Sequence, residues 1–158
     1  MVMILILFVG LVLVAGITAL NRKLAGSDRT QRTAPGVLGQ LTPTGSYGLG
    51  VVGEASYQSN IDRVAGGRTT EGVRLDCEAI LVPEEASPHD SMTIRVDIQG
   101  STVGYLSRAN AREYRAEIKR LGFPSGVFTC KALIVGGWDR GPNDRGHFGV
   151  KLDVPVKN

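Results

Sequence analysis

Cysteine, histidine and tryptophan are scarce in this 158-residue chain, at two, two and one. Two cysteines, Cys77 and Cys130, cannot build the disulfide framework of a small secreted scaffold. In an exported domain they would pair across neighbouring strands. In a reducing compartment they would be buried thiols, the reading that the topology argued below favours. A zinc site needs about four ligands, and Cys77, Cys130, His89 and His147 are the only cysteines and histidines, none at C-x-x-C-type spacing. No cofactor is therefore expected, a structural zinc being the alternative. The sequence also has no Gly-x-Ser-x-Gly elbow, no Walker loop and no His-Glu-x-x-His pair, so the common hydrolase and nucleotide-hydrolysis signatures are missing. Glu84 and Glu85 are adjacent and would face opposite ways on a strand, which suits a solvated loop better than a paired-carboxylate site. These absences point to a binding module rather than an enzyme.

The second shortage is of charge at the start. Val2 to Leu20 is free of Asp, Glu, Lys and Arg, and Thr18 is its one strongly hydrogen-bonding side chain. As a helix the run reaches roughly 28 Å, close to the thickness of a bilayer's hydrocarbon core. A cleaved signal peptide would open with Lys or Arg and end in a small-x-small site. Here no basic side chain precedes Val2, and Ile17-Thr18-Ala19 is a poor match at its first position. The expectation is an uncleaved anchor, binding the membrane through residues 2–20. Arg22, Lys23, Arg29 and Arg32 follow it against one acid, Asp28. The positive-inside tendency then predicts a cytoplasmic domain and an external N-terminus.

The net charge of +3 invites a nucleic-acid reading, but its distribution weakens that argument. From Tyr47 to Asn158 basic and acidic residues balance at 14 each, so the excess sits beside the apolar run. There it would meet anionic headgroups. Evidence for nucleic-acid binding must therefore be local.

Three regions are expected: a single-pass anchor at 1–21, a flexible basic linker at 22–46 rich in Gly, Thr, Pro, Ser and Arg, and a soluble domain at 47–158. The domain is read as mainly β with one or two helices, an α+β chain forming a small barrel. Strands are predicted at Leu49–Ala55, Val73–Val82, Thr93–Ile98, Thr102–Leu106, Val127–Val135 and Phe148–Val154. Gln99-Gly100-Ser101 marks a hairpin turn, and Asn60–Ala65 a short helical turn stopped by Gly66-Gly67. Ser107 is a suitable N-cap for a helix from Arg108 to Leu121. Ala111, Tyr114, Ile118 and Leu121 would form its core stripe. Arg108, Arg112, Arg115 and Lys119 would form a basic ridge able to meet phosphates, or a solvated face balanced by Glu113 and Glu117. Trp138, in the glycine-rich loop 136–146, would cap the barrel or stack on a base or peptide.

Several segments in order resemble one family. They are Val51-Val52-Gly53-Glu54-x-x-Tyr57-Gln58, Leu81-Val82-Pro83-Glu84, Pro88-x-Asp90, Ile94-x-Val96 and Val103-Gly104-Tyr105-Leu106-Ser107-Arg108. Ala111-x-x-Tyr114, Cys130-x-Ala132-x-Ile134-Val135-Gly136-Gly137 and His147-Phe148-Gly149-Val150-x-Leu152-Asp153 follow. Together they resemble a HIRAN domain across about residues 49–154. The resemblance implies a small OB-like β-barrel that captures a single-stranded DNA 3′ end. It assigns Tyr57 to the pocket wall, Asp90 to the terminal sugar, Tyr105 to a position beside the base and Arg108 to a phosphate. Arg112 extends that basic contact, and His89 supplies a ring. Helicase-linked members often carry a basic and an aromatic residue where this chain has Ala55 and Ser56. Their Asn-Pro-Tyr-Asp-x-Asn-Ala loop reads Ser87-Pro88-His89-Asp90-Ser91-Met92-Thr93 here, and Met92 cannot replace an amide hydrogen bond. The expected partner is single-stranded nucleic acid, DNA before RNA. The alternative is a protein partner at the cytosolic membrane face, the domain having lost DNA-end binding.

Overall fold

In the computed structural model, residues 36–85 and 92–155 are described. The apolar run 2–20 lies outside them. Among the described residues no helix is long and apolar enough to cross a membrane. The described residues form seven strands: β1 (Val37–Gln40), β2 (Leu49–Gly50), β3 (Val73–Pro83), β4 (Ile94–Ile98), β5 (Ser101–Tyr105), β6 (Val127–Gly136) and β7 (Phe148–Asp153). Two helices accompany them, α1 (Gln58–Ala65) and α2 (Arg108–Arg120), with a 3-10 turn at Glu54–Tyr57 before α1.

The strands make one curled sheet in the order β2-β7-β6-β3-β4-β5, antiparallel throughout that path, with β1 added in parallel to β6. The fold is thus mainly β with two helices, consistent with a small β-barrel. Alternation explains which face is core. Ile94, Val96 and Ile98 are fully buried while Arg95 and Asp97 between them stay half-exposed, as period-2 side chains require. From β6 and β7, Cys130, Ala132, Ile134, Phe148, Val150 and Leu152 fill the same interior. Each large aliphatic group buried there stabilises the fold by about 1.5–3 kcal/mol.

The β4–β5 hairpin turns on Gln99 and Gly100, with φ of 49° and 73°. Two positive φ values in a two-residue loop match the right-handed twist of the flanking strands. Val103 is the extra residue of a bulge, since Val96 faces Gly104 and Asp97 faces Thr102. The bulge bends β5 toward the chain just after β2. There Val52 and Tyr105 form an antiparallel bridge, linking the first and last strands of the path.

Helix α2 starts where Ser107 Oγ accepts from the Asn110 amide at 3.2 Å, the N-cap expected from sequence. It lays Ala111, Tyr114 and Ile118 on the core. Leu121 does not join them and is 50% exposed. The helix ends at Arg120, so the helical period that would have turned Leu121 inward stops one residue short.

Three further expectations are revised. The segment read as linker is partly built into the domain: β1 pairs with β6, and Thr44 and Gly45 amides donate to Asp153 at 2.9 and 2.7 Å. Four exposed-looking residues carry too weak a period to announce a strand that pairs along only its short length. The strand expected over Leu49–Ala55 is only two residues long, because the chain leaves the ladder at Gly53 for the 3-10 turn. Helix α1 also begins two residues before the expected Asn60.

Candidate functional site

The site forms where the sheet's two ends meet. After Val52, side chains take over the edge of β7 that β2 no longer covers. Glu54 Oε1 accepts from the Val150 amide at 2.6 Å. Gln58 accepts from the Phe148 amide at 2.9 Å and donates to the Phe148 carbonyl at 3.0 Å. These bonds satisfy backbone groups that an uncovered edge would leave open. Burial raises the Glu54 pKa, opposed by that amide bond. The two anchors hold Tyr57 between them.

Tyr57 and Tyr105 stand side by side, ring centroids 6.1 Å apart and planes at 56°. The Tyr57 hydroxyl donates to the Tyr105 hydroxyl at 3.5 Å. Both rings are half-buried. Tyr105 is pushed up to about 12, first by the Tyr57 hydrogen bond, then by burial and by the Glu84 charge.

Arg95 faces Tyr105 across β4 and β5. Its guanidinium bonds Glu84 at 2.6 Å and Asp97 at 3.0 Å, and Asp97 also accepts from Thr102 Oγ1 at 2.9 Å. The Asp97 hydrogen bond leads the causes that raise the Arg95 pKa. Two carboxylates hold one guanidinium, so this ledge is rich in acceptors and poorly suited to an anion.

The expected basic ridge does not survive as four residues. Arg108 and Arg112 are exposed, one turn apart at the start of α2, and Lys119 is exposed toward its end. Arg115 instead donates to the Glu84 and Thr93 carbonyls at 3.1 and 3.2 Å. It flanks the buried stripe, close enough to the sheet to bind the ends of β3 and β4. Its role is structural. Glu117 pairs with Arg120 at 2.5 Å, and Glu85 accepts from Ser125.

The structure thus brings Tyr57 and Tyr105 together and places Arg108 three residues beyond Tyr105, with Arg112 one turn further. His89 and Asp90 lie outside the described residues. The sequence reading missed Glu54 and Gln58 as the anchors of Tyr57, and the Glu84–Arg95–Asp97 group. The polar alternation of Arg95 and Asp97 signalled an outward face there, but not its pairing with Glu84.

Trp138 is spoken for. Its Nε1 donates to Asp144 at 2.9 Å, and any side chain at Gly146 would collide with the indole. It closes its own loop. Cys77 faces Ala132 and Cys130 faces Ala79, so the two are diagonal neighbours. Diagonal Cα separations of about 7–8 Å exceed the usual disulfide span of about 4.4–6.8 Å. Both are free thiols, pushed by burial up to about 11 and about 12. Among the described residues no three His, Cys, Asp or Glu side chains are grouped to hold a metal.

Comparison with protein-family models, curated proteins and solved structures returned no match.

Proposed function

We propose that this domain binds single-stranded nucleic acid, DNA in preference to RNA, with a terminal base seated against Tyr57 and Tyr105. The observation that carries the reading is the tyrosine pair itself, two half-buried rings from residues 48 apart held 6.1 Å between centroids. Aromatic faces accept any base, and each stacked base is worth about 1–3 kcal/mol. The acceptor-rich ledge of Glu84 and Asp97 beside Tyr105 suits sugar hydroxyl and base amino donors, while Arg108 and Arg112 offer charge for phosphate. The resemblance to HIRAN domains supplies the 3′ end as the ligand feature. On this reading the protein is a non-enzymatic module that residues 2–20 tether to the membrane, with the domain on the cytoplasmic side.

The test is fluorescence anisotropy of the full chain in neutral detergent, with labelled single strands bearing free or blocked 3′ ends. Salt-sensitive binding that needs the free end supports the reading. Equal affinity of the Tyr105→Ala variant and the wild type would sink it.

A second reading has one observation in its favour. Val37, Leu38, Leu121 and Phe123 are large apolar residues left exposed, and Phe123 meets Phe128 edge-on beside β1. Exposed apolar side chains of this size suit a protein partner. Stoichiometric capture of one protein, lost in Phe123→Ser and unaffected by Tyr105→Ala, would favour it.

A further inference from the structure

A base seated at the tyrosine pair leaves open where the rest of the strand runs. Several arginines of the domain are already engaged. Arg95 is held by two carboxylates, Arg120 by Glu117 and Arg145 by Asp139 at 3.0 Å. Arg68 lies over the Phe148 ring and donates to the Gly146 carbonyl. Each of these guanidiniums has its charge or its donors committed within the domain.

Arg63 differs. It lies exposed near the end of α1, and among the described residues its hydrogen-bond partner is a neutral amide oxygen, Asn60 Oδ1, at 2.6 Å. Asn60 in turn donates to the Thr102 carbonyl at 2.8 Å, and Thr102 donates to Asp97 on the ledge beside Tyr105. Thr102, through its carbonyl on one side and its hydroxyl on the other, therefore links an oriented guanidinium to the ledge. Asp62, next in sequence, turns Oδ1 inward, where it is buried. Asn60 fixes the direction of Arg63 without cancelling its charge, as a phosphate contact needs.

The spacing also fits. Tyr57 immediately precedes α1 and Arg63 is six residues on, a rise of about 9 Å. Phosphates along a stacked strand repeat at about 3.4 Å, so Arg63 stands two or three nucleotides from the seated base. We infer that a bound single strand leaves the tyrosine pair along α1 and that Arg63 holds a backbone phosphate there. This deepens the nucleic-acid reading and rests on it.

The experiment compares a dinucleotide and a hexanucleotide, both with free 3′ ends, on the full chain in neutral detergent over a range of salt. Loss of one phosphate contact should flatten the salt slope by about 0.7, which is roughly fivefold in affinity at about 0.1 M salt and vanishes near 1 M. Arg63→Ala should show this with the hexanucleotide and bind the dinucleotide as the wild type does. Arg63→Lys should restore the slope, and Arg74→Ala, exposed on β3, should change neither ligand. If Tyr105→Ala abolishes binding while Arg63→Ala leaves the hexanucleotide untouched, the path along α1 is wrong and the tyrosine site stands. An equal loss with both ligands, or the same loss in Arg74→Ala, also overturns the placement of Arg63. If Tyr105→Ala binds normally, the underlying site reading is what fails.

Discussion

Val52 and Tyr105 exchange backbone hydrogen bonds, the Val52 amide donating to the Tyr105 carbonyl at 2.8 Å and the Tyr105 amide donating back at 2.9 Å. The residue that joins the two ends of the sheet is therefore also one wall of the candidate site. Fold closure and the candidate site share one position.

That coupling makes Gly104 sensitive. With φ of 151°, a Cβ there would lie 2.6 Å from the Val52 carbonyl oxygen and 2.5 Å from Val51 Cγ1. Gly104→Ala should destabilise the domain by about 2–4 kcal/mol, combining an unfavourable backbone conformation with overpacking. Thermal unfolding should show the loss. A variant as stable as the wild type would mean that the closure is looser than described.

Tyr105 should titrate late. Its ionisation is raised from the ordinary value of 10.0 to about 12. A group that holds its proton more tightly when folded gives stability that is fully present below pH 10 and is lost as pH rises toward 12. Phenolate absorbance should therefore show a late-ionising tyrosine that Tyr105→Phe removes. Removing its partner's hydroxyl, in Tyr57→Phe, should move that ionisation down. Tyr114, also raised by burial, serves as the internal reference.

Asp153 should make the start of the domain sensitive to acid. Its buried carboxylate accepts from the Thr44 hydroxyl and from the Thr44 and Gly45 amides, and those bonds, the hydroxyl's first, hold its pKa below the usual value. A depressed carboxylate gives stability present above the unfolded pKa and lost as pH falls through the folded one. Protection of the Thr44 and Gly45 amides against exchange should fall as pH drops through that lowered pKa, below the ordinary carboxylate value of about 4, and should already be lost at neutral pH in Asp153→Asn. Unchanged protection in that variant would show that the bonds contribute little.

The same contacts set the domain's boundary. A fragment starting at Tyr47 loses β1 and the Asp153 bonds, whereas one starting at Gly36 keeps them. The shorter fragment should melt several degrees lower, since about 1 kcal/mol shifts a domain of this size by roughly 4 °C or more. Equal melting temperatures would return residues 36–46 to the tether.

Much of the fold was legible because its signals are periodic. The alternation of Ile94, Val96 and Ile98, the Ser107 cap and the Gln99-Gly100 turn each have local physical causes, and each sits where the sequence reading put it. β1 was missed because a short strand in parallel pairing depends on its partner β6, not on its own pattern. Leu121 was misassigned because periodicity does not say where a helix stops. In the site, Tyr57 and Tyr105 were named from resemblance, and their meeting depends on the bulge at Val103 and the anchoring of Glu54 and Gln58 to β7. Those are contacts between distant residues, which composition and spacing do not encode. Arg115 was misread for the same reason, since its carbonyl partners come from β3 and the approach to β4.

The most direct measurement of the central claim is the affinity of the full chain for short single strands, wild type against Tyr105→Ala, with free and blocked 3′ ends at two salt concentrations. Salt-sensitive binding is expected that needs the free end and falls by about five- to a hundredfold in the variant, the equivalent of one lost stacking contact. Absence of binding to any strand, or binding that ignores Tyr105, would contradict the claim.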